Sequence, residues 1–336
     1  MDMIPARVLA DAPSAAISNG LISAKIFLPD AATGFYRGVR FDWAGVFGGL
    51  TYRGHDFYPL WFNGVSPSVS DFVEAGGQVV AAPNTAANGP VEEFNAEGGA
   101  LGYAEAAPGG LFLKIGVGVL RRIDAGPYAF AKSFPLVDPG VRTQHVGSDR
   151  VEMTQDVADH GTGYAYSYTK TIRLVPGQPS MIIDHALRNT GAKTIVTQVY
   201  NHNFLNIDGR GTREGLTLTT PFALTAAPPP PSDLAVVDDR RFVYRTSLGP
   251  GQRVQTALAG YGATARDYDL HLADAASGAG LRISGDQPLA KLALWSIQPV
   301  MAIEPFVTMT IKPGDTFRWS YRYDYDASGP LAGAAQ

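Results

Sequence analysis

The chain has 336 residues, 45% of them hydrophobic, a formal net charge of −4 and no cysteine. That is enough apolar material for a large core without staples, and the mild acidity argues against a nucleic-acid binder, which would carry a basic patch or stripe. The lack of cysteine excludes disulfides, thiolate metal ligands and a thiol nucleophile, and no run of eighteen apolar residues predicts a transmembrane helix.

Residues 1–19 carry Arg7 but no continuous apolar run. No signal peptide is read there, and the segment is expected to be a flexible terminus. The compartment stays open. A cytoplasmic location is slightly favoured, and export would fit a leader trimmed ahead of Ala10, Ala12, Ala15 and Ala16. Short apolar runs then recur, punctuated by 38 Gly and 24 Pro. Strands are predicted at 21–28, 45–52, 111–121, 150–157, 164–174, 180–187, 193–206, 216–220, 254–259, 267–272, 280–284, 291–297, 307–311 and 316–325. In the fifth of these Tyr164, Tyr166 and Tyr168 sit at alternate positions, hence on one face. Phe317, Trp319, Tyr321, Tyr323 and Tyr325 form a second such ladder. Both read as packing between sheets.

Residues 75–108, rich in Gly, Ala, Asn and Glu, read as long loops over one end of the sheets. Pro228 to Pro231 reads as a short polyproline II spacer. The strands on either side of it have the same character, so a single domain over 20–326 is expected, with a second flexible terminus at 327–336. Many short strands without strand–helix alternation predict an all-β chain, a sandwich or barrel.

The six histidines fall at no metal-ligand spacing, and there is no Gly-x-Ser-x-Gly, phosphate loop or dinucleotide fingerprint. Neither a metal nor a cofactor is expected. One stretch stands out. Ile195, Val196, Val199, Phe204 and Leu205 give 194–209 the character of a buried strand, yet Tyr200, Asn201, His202, Asn203 and Asn206 interrupt it. Asn is poorly suited to strand interiors. A buried polar group costs a few kcal/mol unless it is hydrogen-bonded, so the cluster either forms a satisfied network or faces a cleft. His202 is then a core histidine or a site residue whose Asn neighbours orient it and bind hydroxyls.

Glu304 is a lone carboxylate within Val300-Met-Ala-Ile-Glu-Pro-Phe306. Burial there would raise its proton affinity, as a general base near neutrality requires. The plainer alternative is a Glu paired to an arginine. Arg37 and Arg40 lie beside Phe35, Tyr36, Phe41 and Trp43, and Arg210 and Arg213 follow the histidine stretch. Such forks suit carboxylates, phosphates or vicinal hydroxyls. The aromatics beside them read equally as a sugar-binding lip or as packing.

Tyr168-Thr-Lys-Thr-Ile-Arg-Leu174, Met181-Ile-Ile-Asp-His-Ala-Leu-Arg-Asn-Thr-Gly191, Tyr200-Asn-His-Asn-Phe-Leu-Asn206, Ala302-Ile-Glu-Pro305 and Ile311-Lys-Pro-Gly-Asp-Thr-Phe317 together resemble the galactose mutarotase (aldose 1-epimerase) superfamily, including its hexose-6-phosphate epimerase-like branch. The resemblance implies a large antiparallel β-sandwich, a supersandwich, with the sugar site on a concave sheet. It implies acid–base interconversion of sugar anomers without metal or cofactor, with Glu304 as base and His202 as acid. Substrate binding is expected from Tyr36, Arg37, Arg40, Asn201, Asn203 and Arg213. The implied partner is a small sugar or sugar derivative, with no nucleic acid or membrane, acting on a monomer or homodimer. A lyase on the same fold, with Arg40 and Tyr200 in the leading roles, or a non-catalytic sugar-binding module stays open.

Overall fold

A computed structural model of the chain describes residues 3–95 and 99–328. Two antiparallel sheets dominate it. The larger has ten strands, in the order Val141–Val146, Arg150–Val157, Tyr166–Leu174, Ser180–Asn189, Thr316–Ala327, Ala279–Gly285, Asp269–Asp274, Leu216–Thr219, Arg241–Tyr244 and Ala235–Asp238. The other has six, in the order Thr225–Ala227, Arg253–Ala259, Lys291–Ile297, Val300–Ile311, Ile195–Leu205 and Gly89–Asn95. Three small sheets and the four-residue helix Ala6–Leu9 cover their flanks.

The sheets pack face to face, as period-two hydrophobic patterning dictates. Both predicted aromatic ladders contribute to that interface. Tyr166, Tyr168, Trp319, Tyr321, Tyr323 and Tyr325 are buried, and Phe94 of the smaller sheet packs edge-on against Tyr168 and Trp319 of the larger. The expected all-β sandwich is the architecture observed.

Several local expectations are corrected. Residues 75–108 are not only loops. Gly89–Asn95 is an edge strand of the six-stranded sheet, paired along its length with the strand that carries His202. Its two adjacent glutamates disguise it. Glu92 turns into the sandwich and Glu93 to the other face, and each meets cations that make burial tolerable. In the segment expected as a flexible N-terminus, Ser14–Ser18 pairs with Ile22–Phe27 and buries Ala15 and Ile17. Residues 1–2 and 329–336 of the two expected termini lie outside the described residues. The strand predicted at 111–121 is a hairpin, turned at Gly116 with φ +81°. The strand predicted at 307–311 begins at Val300 and so includes Glu304 and Pro305.

Glu92 anchors its strand from inside. The ammonium of Lys170 and the ring of His185, both from the ten-stranded sheet, bond its two carboxylate oxygens, His185 at 2.9 Å. Lys170 also donates to the carbonyl of Ala44 at 2.8 Å. All three side chains are fully buried. Removing one partner of a buried ion pair leaves the other charge uncompensated, at a cost of about 3–5 kcal/mol. Lys170→Met is therefore expected to lower unfolding free energy by about that amount, read as a shift of the denaturant midpoint with little change in slope.

Candidate active site

Strand alternation sorts the polar stretch. On Ile195–Leu205, the side chains of Val199, Asn201, Asn203 and Leu205 share one face and those of Tyr200, His202 and Phe204 the other. The first face packs into the sandwich. Tyr323 of the opposite sheet donates to Asn203 Oδ1 at 2.7 Å and accepts from Asn201 Nδ2 at 2.8 Å. Asn203 also donates to the carbonyl of Ile303 at 2.8 Å. Both asparagines are fully buried. They were expected to bind substrate; instead they form a core network with Tyr323, in which Asn201 Oδ1 has no partner among the described residues.

On the second face, His202 and Phe204 line a cleft of about 290 Å³, walled also by Trp61, Phe72, Phe130 and Trp295 and edged by Arg40, Asp71, Arg253 and Gln255, while Tyr200 lies outside it. Its volume is close to the lower end of the range for ligand sites, about 300–1,000 Å³. His202 and Glu304 both line it. Tyr200 pairs with Phe306 and Asn203 with Ile303, a register that sets His202 opposite Glu304. Their side chains meet, with Nε2 3.4 Å from Oε1. A hundred residues of sequence thus close to one contact, tighter than a pair with a sugar ring between its members. Burial pushes the Glu304 carboxyl up to about 7, the nearby Glu93 charge adds to this, and Arg40 and Lys291 oppose it. Burial, with Arg40 adding to it, holds His202 well below its usual value, against the pull of Glu93.

Arg40 reaches the cleft as expected. Its Nε donates to Glu93 at 2.7 Å, and a terminal nitrogen donates to the Tyr200 hydroxyl at 3.1 Å. Its guanidinium lies between the rings of Phe41 and Phe130, 4.5 and 4.0 Å from their centroids. Lys114, fully buried, donates to the other oxygen of Glu93 at 3.2 Å. Although burial raises the Glu93 carboxyl, Lys114 and Arg40 hold it well below the usual range. Tyr200 hydrogen-bonds to the same carboxylate, and burial drives its phenol well above 10.

Three other expected ligand residues lie elsewhere. Arg37 borders a separate apolar cavity and donates to the carbonyl of Ala32 at 2.7 Å. Tyr36 is buried, its hydroxyl donating to the carbonyl of Asn84 at 2.9 Å and accepting from the Phe41 amide at 3.0 Å. It shapes the loop that delivers Arg40. Arg213 forks onto the buried carboxylate of Asp274, which also accepts from the Ser277 hydroxyl and the Ala276 amide. Sequence reasoning missed Glu93, Asp71, Trp61, Phe130, Arg253 and Trp295 as site residues. For Trp295 a signal existed: in Lys291–Ile297 the alternation of Leu292 and Leu294 puts Ala293 and Trp295 on the opposite face. Among the described residues no group of three or more His, Asp or Glu is arranged to hold a metal ion.

Solved structures of similar shape are numerous. A protein from Escherichia coli K12 whose name refers to aldose 1-epimerase aligns with 94% of this chain and 99% of its own at a TM-score of 0.56 and 11% identity. A galactose mutarotase related enzyme from Lactobacillus acidophilus aligns over 94% and 98% at 0.52 and 11%. The Slr1438 protein from Synechocystis sp. PCC 6803 aligns over 95% and 97% at 0.51 and 14%. The chain has the galactose mutarotase-like fold. No protein-family model and no curated protein matches it in sequence, so the likeness lies in the galactose mutarotase-like architecture, over almost the whole chain.

The raised Glu304 carboxyl gives a stability signature. Its folded value of about 7 lies above the ordinary 4.5. Between those values the folded protein keeps a proton that the unfolded chain has released, so this group's contribution falls as pH rises through the window and stays low above it. Glu304→Gln is expected to stabilise the fold at pH 8 by up to about 3 kcal/mol, with the difference gone below about pH 4.5. Denaturant melts of both proteins across pH measure it.

Proposed function

We propose that the protein is a sugar 1-epimerase, interconverting the anomers of a monosaccharide-sized substrate by acid–base catalysis. The observation that carries this reading is the meeting of Glu304 and His202 on the floor of an aromatic-walled cleft. Ring opening of a cyclic hemiacetal needs a group that takes the anomeric hydroxyl proton and a way to supply a proton to the ring oxygen. A carboxyl that titrates near neutrality serves that exchange, because it accepts and returns a proton at comparable cost. Trp61 and Trp295 offer faces for the C–H side of a pyranose, and Arg40, Asp71, Arg253 and Gln255 offer partners for its hydroxyls. The fold's relatives, whose names refer to aldose 1-epimerase and galactose mutarotase, favour the same chemistry.

A lyase would call on Arg40 to neutralise a substrate carboxylate and on Tyr200 as base. Arg40 is already matched by Glu93, and Tyr200 is bound to that carboxylate and does not line the cleft. These contacts weigh toward the epimerase. A panel of free sugars and sugar phosphates, purified as single anomers and followed by one-dimensional NMR, tests the reading. The protein is expected to accelerate exchange of at least one, and Glu304→Gln to slow it by about 10²–10⁴-fold, the usual contribution of a positioned acid–base group. Exchange at the spontaneous rate for every sugar would rule the reading out.

A further inference from the structure

The two members of the pair are not equivalent in their surroundings. His202 sits among aromatic rings. It stacks on Phe204 at a centroid distance of 4.0 Å, and Phe41 and Trp295 approach it edge-on at 5.5 and 5.8 Å. Nε2 faces Glu304. Nδ1 is buried and has no hydrogen-bond partner among the described residues. An imidazolium must place a proton on both nitrogens, and here one N–H would be buried with no acceptor beyond its own residue's backbone, beside the Arg40 cation. An unpaired buried donor costs about 1–3 kcal/mol, and more when charged. A neutral ring with its proton on Nε2 avoids this. Nδ1 then presents only a lone pair to the aromatic wall, and Nε2–H lies on the side of the cleft, 3.4 Å from Glu304 Oε1.

We propose that His202 remains neutral and acts as a hydrogen-bond donor through Nε2–H, while Glu304 alone carries the proton from the anomeric hydroxyl to the ring oxygen. This assignment of roles rests on the epimerase reading and departs from the acid–base division that the family resemblance implies. The step balances without a second acid. The Glu304 carboxylate takes the proton of the C1 hydroxyl, the C1=O bond forms, and the C1–O5 bond breaks with its electron pair passing to O5. The carboxyl group then gives the same proton to O5, aided by the Nε2–H bond to that oxygen, and is ionised again. Rotation about C1–C2 and reversal of the sequence on the other carbonyl face yield the second anomer.

The charges facing His202 agree with a neutral ring. They are Arg40 from the loop at Phe41, Glu93 from Gly89–Asn95 and Glu304 from Val300–Ile311, with Asp71 and Arg253 at the cleft edge. Glu93 is matched by Arg40 and Lys114, and Glu304 is half-protonated near neutrality. Glu304, the carboxylate nearest the ring at 3.4 Å, is the group that holds the proton in this assignment.

Nitrogen-15 NMR of the ring-labelled protein, read without sugar, tests the charge state. The expected result is the neutral Nε2–H tautomer of His202 from about pH 5 to 8, assigned by comparison with His202→Gln. An imidazolium signal with a midpoint above about pH 5 would overturn the proposal. The second arm is anomer exchange by His202→Gln, whose amide can donate but cannot become a cationic acid. It is expected to lower activity by about tenfold, the loss of one positioned donor, with an unchanged pH profile, whereas Glu304→Gln loses activity by the larger factor given above. Loss equal to that of Glu304→Gln, in a variant whose thermal melt shows it folded, would also overturn it. Absence of exchange in the unsubstituted protein would remove the epimerase reading instead, and the ring signal would still decide whether His202 is neutral.

Discussion

Two adjacent glutamates point in opposite directions, and the site depends on both. Because side chains alternate along a strand, Glu92 enters the sandwich and Glu93 lies beneath the cleft. Glu92 is held by Lys170 and His185 from the opposite sheet. Glu93 is held by Lys114 and Arg40 and bonded to Tyr200. The strand they share pairs directly with the one that carries His202. One edge strand therefore transmits the fixed spacing of two packed sheets to the charges around the reacting groups. Burying so many ions is costly, and replacing such clusters with apolar side chains is often neutral or stabilising. Their presence here is better understood as placement than as stability.

Placement has an electrostatic consequence at the cleft. Arg40 would lower the proton affinity of both Glu304 and His202, and Glu93 opposes that influence on each. Matched in this way, the guanidinium remains a rigid donor between two rings without holding Glu304 fully ionised. Burial can then set the carboxyl near neutrality, where proton exchange with a hydroxyl is easiest.

The fold was largely legible in the sequence because period-two patterning is a local property. The ladders of Tyr166 and Tyr168 and of Trp319 to Tyr325 could be assigned to a sheet interface without knowing their partners. His202 and Glu304 were legible too, as polar residues that their apolar surroundings did not explain. What escaped was whatever depends on a distant partner. The Gly89–Asn95 strand looked like loop because the cations that make Glu92 and Glu93 tolerable come from far along the chain. Asn201 and Asn203 looked like sugar ligands because nothing local announces the Tyr323 hydroxyl. Arg37, Arg40 and Arg213 are chemically alike, and only the fold distinguishes the one at the cleft from those bound to Ala32 and Asp274.

The bridge from Tyr323 to Asn201 and Asn203 also bears on how errors in strand alignment are suppressed. A slip of one position along this strand would invert every side chain. Histidine would enter the sandwich and asparagine would occupy the cleft floor. Such a slip would forfeit the hydroxyl bridge and at the same time bury an imidazole where two amides now share one tyrosine hydroxyl. The oddly polar run thus works as a vernier, with two marks on the hidden side that can be read against one hydroxyl in only one alignment.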